Sequence, residues 1–475
     1  MASKTLSTRR NASIFSPIVS SPLGQRVGGS WIYRFIIFPI GQMIVFIIGA
    51  TVLLTVLSYL LALVVPEPRP GIVLADQITR QLPGTIISGI SLGFVYAMIA
   101  LGYTLVYGVL KFINFAHSEI FMVGAVVGFE LMRRLYDAGT IDQIHPVVLI
   151  IMTVLAGMLV SGLLAVAIER VAYRPLRGAP RLVPLITAIG ISFLIQDGVR
   201  ATEALTRNDF NLTYPTNQLS WLSTPVPLVF NGAVTGGLNI GGTTYDEIVV
   251  DGETYSTFTI GDTEYESLTV GGITIGGTPL RVRDISIGET EFESLTIGGV
   301  ELSEISSTSN VVNIRVTSII VVVSAVLMLV ALNYFVNGTK VGRGIRAVSQ
   351  DQTTAGLMGI NVNRMISITF FVGGAFGGAA GALFGLNVGT VTPYVGFIPG
   401  IKAFTAAVLG GIGNVTGALL GGLTLGIIEA FLNGILVYFP ALGQRYTDIF
   451  AFSVLILILI FRPSGLLGER VDEKV

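Results

Sequence analysis

SGISLGFVYAMIALGYTLVYGVLKFINFAHSEIFMVG, residues 88–124, is the stretch that decides the class of fold. A membrane-spanning helix takes about 20 mostly apolar residues, and this run is long enough for parts of two, interrupted by Asn114, His117, Ser118 and Glu119. Ionisable groups at membrane depth are costly unless they face a cavity or a partner, which makes them functional candidates. The structural alternative is that Lys111 marks a helix end near the cytosol. Asn114 and Ser118 would then cap the next helix, with His117 and Glu119 at the interface. Either way, a Gly-containing break between two apolar helices is what solute pathways in transporters use.

Outward from this stretch the whole chain has the same character. Of its 475 residues 52% are hydrophobic and 12% charged, with a mean hydropathy of +0.76, whereas soluble domains carry about 25% charged residues. Ten apolar windows fall near 36–65, 84–107, 112–131, 146–168, 182–200, 313–335, 366–388, 398–413, 415–436 and 447–461. The Gly-rich pair at 398–436 can instead form a re-entrant hairpin. The expectation is an all-α polytopic membrane protein of about 8–10 transmembrane helices. Arg170, Arg174, Arg177 and Arg181 cluster in one short connection and Lys340, Arg343, Arg346 and Arg364 in another. The positive-inside rule puts both in the cytosol. Ten crossings then start from a cytosolic basic tail, 1–34, and return the chain to a cytosolic tail, 466–475. The membrane domain occupies 35–200 and 313–465, and 201–312 falls outside the cell.

That outer segment is soluble in character: residues 209–304 hold 14 acidic residues against Arg281 and Arg283. A repeat of about ten residues runs through it, as in IGGTTYDEIV from Ile240, VDGETYSTFT from Val250, IGDTEYESLT from Ile260 and IGETEFESLT from Ile287. Alternating β-branched and aromatic residues between Gly turns predict short strands in a meander or small roll, with Tyr245, Tyr255, Tyr265 and Phe292 stacked on one face. Such a small β-rich extracytoplasmic insertion is either self-contained or a docking surface for a binding protein.

Two further constellations stand out. In FFVGGAFGGAAGALFG, from Phe370, the residues Gly373, Gly377 and Gly381 recur every fourth position beside the parallel row Gly374, Gly378 and Ala382. Such rows let helix backbones approach closely. Lys402, near the outer boundary, is expected to snorkel. In GTKVGRGIRAVSQDQTTAGLMGINVNRM, from Gly338, a basic amphipathic start leads to Ala355, Gly356, Leu357, Met358, Gly359 and Ile360, a short interfacial helix presenting an apolar knob. Catalytic signals are missing: there is no GxxxxGK[ST], HExxH or GxSxG pattern. Zero Cys excludes disulfides and thiolate ligands, and two His residues, His117 and His145, make no metal cluster. No metal, cofactor or nucleic acid is expected, and any ATP hydrolysis must come from a partner.

GYTLVYGVLKFINFAHSEIFMVG, GRGIRAVSQDQTTAGLMGINVNR and PYVGFIPGIKAFTAAVLGGIGNVTGALLGG together closely resemble the LivH-type permeases of branched-chain amino acid ABC importers. The resemblance covers about 82–200 and 313–465, and the N-terminal tail, first helix and β-rich insertion depart from it. It implies a non-enzymatic subunit in a prokaryotic plasma (inner) membrane. Its partners would be a second homologous permease, two cytosolic ATPase subunits and an extracytoplasmic solute-binding protein. It also implies a coupling helix over Asp351–Ile360, comprising Asp351, Ala355, Gly356, Leu357, Met358, Gly359 and Ile360. The solute path would lie between the two permeases, with walls around 93–107 and 387–400: Tyr96, Tyr103, Thr104, Tyr107, Asn387, Thr390 and Tyr394, besides Asn114, His117 and Glu119 at the break. The competing class is an ion-gradient-driven secondary transporter working through Glu119, Glu169, Glu429 or Asp448; a third is a membrane scaffold displaying the β-domain.

Overall fold

The computed structural model describes residues 38–65, 74–112, 114–180, 182–215, 316–411, 413–439, 446–461 and 465–466, together with short strands within 225–315. The expected tails, Phe292 and the basic residues Arg181, Arg462, Arg470 and Lys474 lie outside them. Twelve helices are used below: α1 (Phe38–Val64), α2 (Leu74–Leu110), α3 (His117–Asp137), α4 (Pro146–Ile168), α5 (Leu182–Thr206), α6 (Val316–Gly338), α7 (Lys340–Gln350), α8 (Gln352–Leu357), α9 (Val362–Val388), α10 (Phe397–Gly410), α11 (Val415–Leu436) and α12 (Thr447–Phe461).

Among the described residues seven helices are long and apolar enough to cross a membrane: α1, Gln81–Leu110 of α2, α4 with its extension to Leu176, α5, α6, α9 and α11. α10 and α12 are apolar but shorter, and α3 has the length but carries Glu119, Glu130, Arg133 and Arg134. The eight to ten helices read from sequence are these. At about 1.5 Å per residue, the 14 residues of α10 reach roughly 21 Å, short of a bilayer core of about 30 Å. The Gly-rich pair is therefore one short helix, entered through the irregular segment 389–396, folded back on the full-length α11.

The bundle is built around α2, α9 and α11, whose apolar windows are 67–83% buried, whereas those of α1 and α5 are 11% buried. Lipid tails are as apolar as leucine, so what selects the interior helices is close packing of small residues. α9 packs chiefly against α2, α3 and α4. A Cβ on Gly378 would lie 2.6 Å from Ser161 Oγ of α4 and collide with the Gly157 carbonyl, while the backbone of Gly124 on α3 closes the same position from the other side. The row singled out in the sequence is uneven. A Cβ at Gly381 would overlap the Phe121 carbonyl, and at Gly373 it would sit 3.2 Å from the Gly102 carbonyl, but at Gly377 it would meet the His117 ring at 3.5 Å and the Ile120 side chain at 3.6 Å, ordinary contacts. The tighter seam against α4 belongs to the neighbouring Gly374 and Gly378.

The repeats form antiparallel hairpins, two of them separate and two, Phe258–Tyr265 and Ile285–Glu291, joined through Thr259↔Ser286 and Ile260↔Ile285 into one four-stranded sheet. Leu238–Ile240 pairs with Thr243–Tyr245, Ile248–Val250 with Glu253–Tyr255, and Phe258–Ile260 with Thr263–Tyr265. Tyr245, Tyr255 and Tyr265 thus hold equivalent register positions opposite Leu238, Ile248 and Phe258. Two longer strands enclose the hairpins in sequence, β2 (Pro225–Val229) and β3 (Val311–Arg315), paired from Pro225↔Arg315 to Val229↔Val311. Before them, β1 (Leu212–Thr213) pairs with β4 (Thr390–Val391), and buried Tyr214 donates its hydroxyl to the Ala125 carbonyl of α3.

Candidate functional site

α2 stops where Lys111 turns to a φ of 59°, in the left-handed region that β-carbon sterics disfavour. The chain restarts when the His117 N–H bonds the Asn114 carbonyl at 3.1 Å. The side chains at this break do not cap. Asn114 Oδ1 accepts from the Tyr173 hydroxyl at 2.6 Å, Ser118 Oγ donates to the Phe115 carbonyl at 2.7 Å, and α3 has no side-chain cap. Asn114, His117 and Glu119 are all fully buried. Glu119 Oε1 accepts from Ser192 Oγ of α5 at 3.1 Å, and the His117 ring meets Tyr103 edge-on at 4.7 Å. Glu119 Oε2, Asn114 Nδ2, both His117 nitrogens and Thr104 Oγ1 have no hydrogen-bond partner among the described residues. Each such group costs about 1–3 kcal/mol, so the seam of α2, α3 and α9 is the least satisfied part of the bundle.

The other sequence candidates lie elsewhere. Tyr96 donates to Glu429 Oε2 at 2.9 Å, and Glu429 Oε1 takes Lys402 Nζ at 2.8 Å, with Asp448 Oδ1 at 2.7 Å from the same ammonium. Lys402 is 5% exposed, so it does not snorkel; an apolar interior of α2, α10 and α11 holds it because two carboxylates and the Tyr96 face, 5.9 Å away, replace its water. Asn387 accepts from Thr317 at 2.9 Å, Thr390 sits exposed in β4, and Tyr107 is half-buried. Exposed Tyr394 accepts from Arg200 Nη1 at 2.8 Å. Arg200 also pairs with Asp197 at 3.3 Å, their side chains 48% and 66% exposed. The sequence reading passed over Asp197 and Arg200, although two charges inside the apolar window 182–200 were the available signal.

Of the four carboxylates considered for ion coupling, three are neutralised. Glu429 and Asp448 share Lys402, and wholly buried Glu169 binds Arg174 at 3.1 Å, Arg177, and the Ser367 hydroxyl at 2.7 Å. Glu119 alone has no cation within salt-bridge reach among the described residues.

The knob is a six-residue helix locked at both ends. Asp351 accepts from the backbone N–H groups of Thr353 and Thr354, at 2.8 and 3.2 Å, and from the Thr354 hydroxyl. That hydroxyl first, then the two N–H groups, hold the Asp351 carboxyl below its ordinary value of 3.8. At the other end Gly359 has a φ of 83° and Ile360 N–H returns to the Ala355 carbonyl at 3.1 Å, a Schellman stop that only glycine enters freely. Ala355 is buried, Leu357 and Met358 are 84% and 79% exposed, and Gln352 Nε2 bonds the Val109 carbonyl at the end of α2 at 3.1 Å.

Comparison with known proteins places this geometry. Residues 85–459 match the family described as branched-chain amino acid transport system, permease component. The high-affinity branched-chain amino acid transport system permease protein BraD of Pseudomonas aeruginosa is 33% identical over 390 residues, 82% of this chain and 97% of its own. The chain belongs to the branched-chain amino acid transport system permease family. The corresponding LivH protein of Escherichia coli is 33% identical over 388 residues, 82% of this chain and 96% of its own. A shorter likeness, 37% over 119 residues, or 24% of this chain and 33% of the relative, links it to the fructose import permease protein FrcC of Rhizobium meliloti. No solved structure matches. The three motifs that carry the resemblance all lie inside the matched segment, and membership makes the chain a transport subunit of the membrane, not an enzyme.

Proposed function

We propose that this permease moves branched-chain or other neutral amino acids in an ATP-driven importer, together with a second homologous permease, two cytosolic ATPase subunits and an extracytoplasmic solute-binding protein. The substrate class follows the names of the relatives that it matches over most of their length. One observation carries the ATP-driven reading: Leu357 and Met358 project from a helix too firmly capped to be a loop. An exposed apolar pair on a rigid stub suits insertion into a partner, and a rigid stub transmits rigid-body movement. Gln352 would pass that movement to α2, which lines the unsatisfied seam at Thr104 and Tyr103.

In this reading the Arg170–Arg181 loop, α7 and α8, and both termini are cytosolic, and residues 201–312 are outside. The second permease would cover α5 near Asp197, Arg200 and Tyr394, where lipid tails would solvate charge poorly, and the solute would pass along that contact. An ion-gradient mechanism would have to work through Glu119 alone, because Glu169, Glu429 and Asp448 already hold cations. The test is ATP hydrolysis by the complex in proteoliposomes with and without leucine-loaded binding protein. The exposed pair Leu357→Asp/Met358→Asp should insert normally yet lose at least about tenfold in solute-stimulated rate, what desolvating charge at an interface would cost. Full stimulation would place the ATPase contact elsewhere, most simply in the Arg170–Arg181 loop.

A further inference from the structure

At the junction of α4 and α9 the last turn of α4 widens into one π turn, Glu169–Tyr173, and the chain folds over the start of α9. A cleft of about 550 Å³ opens there. Its lining has two zones: Leu163, Ile368 and Phe371 along the helices, and Arg170, Arg174 and Arg364 at the end. The cationic zone is constructed from within. Glu169, wholly buried, takes Arg174 through Nε and Nη2 at 3.3 and 3.1 Å, and Ser367 takes the same Nη2 at 3.0 Å, fixing that guanidinium at the wall. Arg170 and Arg364 are exposed and hold no carboxylate among the described residues. Positive charge is thus in excess beside a hydrocarbon-lined slot.

We propose that this cleft binds an anionic phospholipid, its phosphate on the three arginines and an acyl chain along Leu163, Ile368 and Phe371. Arginine offers planar, paired donors to phosphate oxygens, and basic recesses between helices at a membrane face suit such headgroups. A soluble anion would not need the apolar slot, which opens on the lipid-facing side of α4 where Leu163 is exposed. Placement in the inner leaflet rests on the proposed topology, but the site itself does not.

The test uses the full chain in detergent, where there are no leaflets, so the site and the topology can fail separately. Retention of phosphatidylglycerol against phosphatidylcholine is read by native mass spectrometry. The wild type should retain phosphatidylglycerol preferentially. Arg170→Gln/Arg364→Gln should weaken it about thirty-fold, roughly five-fold per arginine, and Arg170→Lys/Arg364→Lys should keep most of it. Arg343→Gln/Arg346→Gln, an equal charge change at exposed positions of α7, should leave it unaltered. Should the double variant not purify, Arg170→Gln alone must show the five-fold loss. The proposal is overturned if the glutamine variants keep the wild-type preference. It is also overturned if inorganic phosphate displaces the lipid at similar concentration, the sign of a free-anion site, or if the variants lose only co-purification of the ATPase subunits, the sign of a protein contact.

Discussion

Lys402→Met is the most informative single change in the membrane core. It deletes an ammonium held at 2.8 Å by Glu429 and 2.7 Å by Asp448. Asp448, with its side chain 47% exposed, can turn to water. Glu429, 8% exposed, cannot, and keeps only the Tyr96 hydroxyl. Leaving one partner of a buried pair uncompensated costs about 3–5 kcal/mol. In Lys402→Met/Glu429→Leu no charge is stranded, and the residual loss is the Tyr96 hydrogen bond, about 1 kcal/mol. The double variant should therefore be more stable than the single one by about 2–4 kcal/mol. Reversible unfolding in mixed detergent–dodecyl sulfate micelles, followed by circular dichroism, gives the three stabilities. A single-variant loss below about 1 kcal/mol, or a double variant at least as damaged as the single one, would refute the reading of Lys402 as a desolvated, paired charge.

Gly378→Ala should cost assembly or yield, because its Cβ collides with α4 backbone, whereas Gly377→Ala, with 3.5 Å to His117, should be near neutral; equal effects on monodisperse yield would contradict the packing. Asp351→Ala should raise hydrogen exchange in α8 at neutral pH, since two N–H groups lose their acceptor. The folded Asp351 carboxyl titrates below 3.8, so its stabilisation is complete above that value and is lost only as pH falls through the lower folded value; α8 protection factors, corrected for the intrinsic exchange rate, that fall between pH 5 and 7 would be at odds with this. Protease added to intact cells should cut within 216–311 and spare 338–365, and cleavage in the latter would invert the topology.

Hydropathy alone made the spans legible, because an apolar average over about 20 residues needs no knowledge of neighbours; α3 was legible as the window 112–131, and its charged C-terminal turn, with Arg133, Arg134 and Asp137, lies beyond that window. The knob was legible because Asp351, Gly359 and the apolar residues between them are local signals. What stayed hidden depends on partners distant in sequence. Lys402 meets Glu429 27 positions away, and Tyr96 reaches it across 333, so nothing local distinguished a paired lysine from a snorkelling one. Likewise a four-residue glycine period defines two adjacent rows, and which is the tighter depends on where α4 lies. Gly359, with a φ of 83° and nothing within 4 Å of its added Cβ, makes the turn that ends α8.

The β2–β3 ladder has an evolutionary consequence. Because Pro225 lies opposite Arg315 and Val229 opposite Val311, everything from 230 to 310 leaves and re-enters through one two-stranded doorway, with α6 starting at the next residue, Val316. A segment with coincident ends is a cassette: repeats can be gained, lost or exchanged by recombination without altering the span between α5 and α6. A tight hairpin joining Val229 to Val311 would be its shortest form. The ten-residue duplications inside the doorway are what such a permissive position accumulates, while the glycine seams on the other side of it allow almost no change.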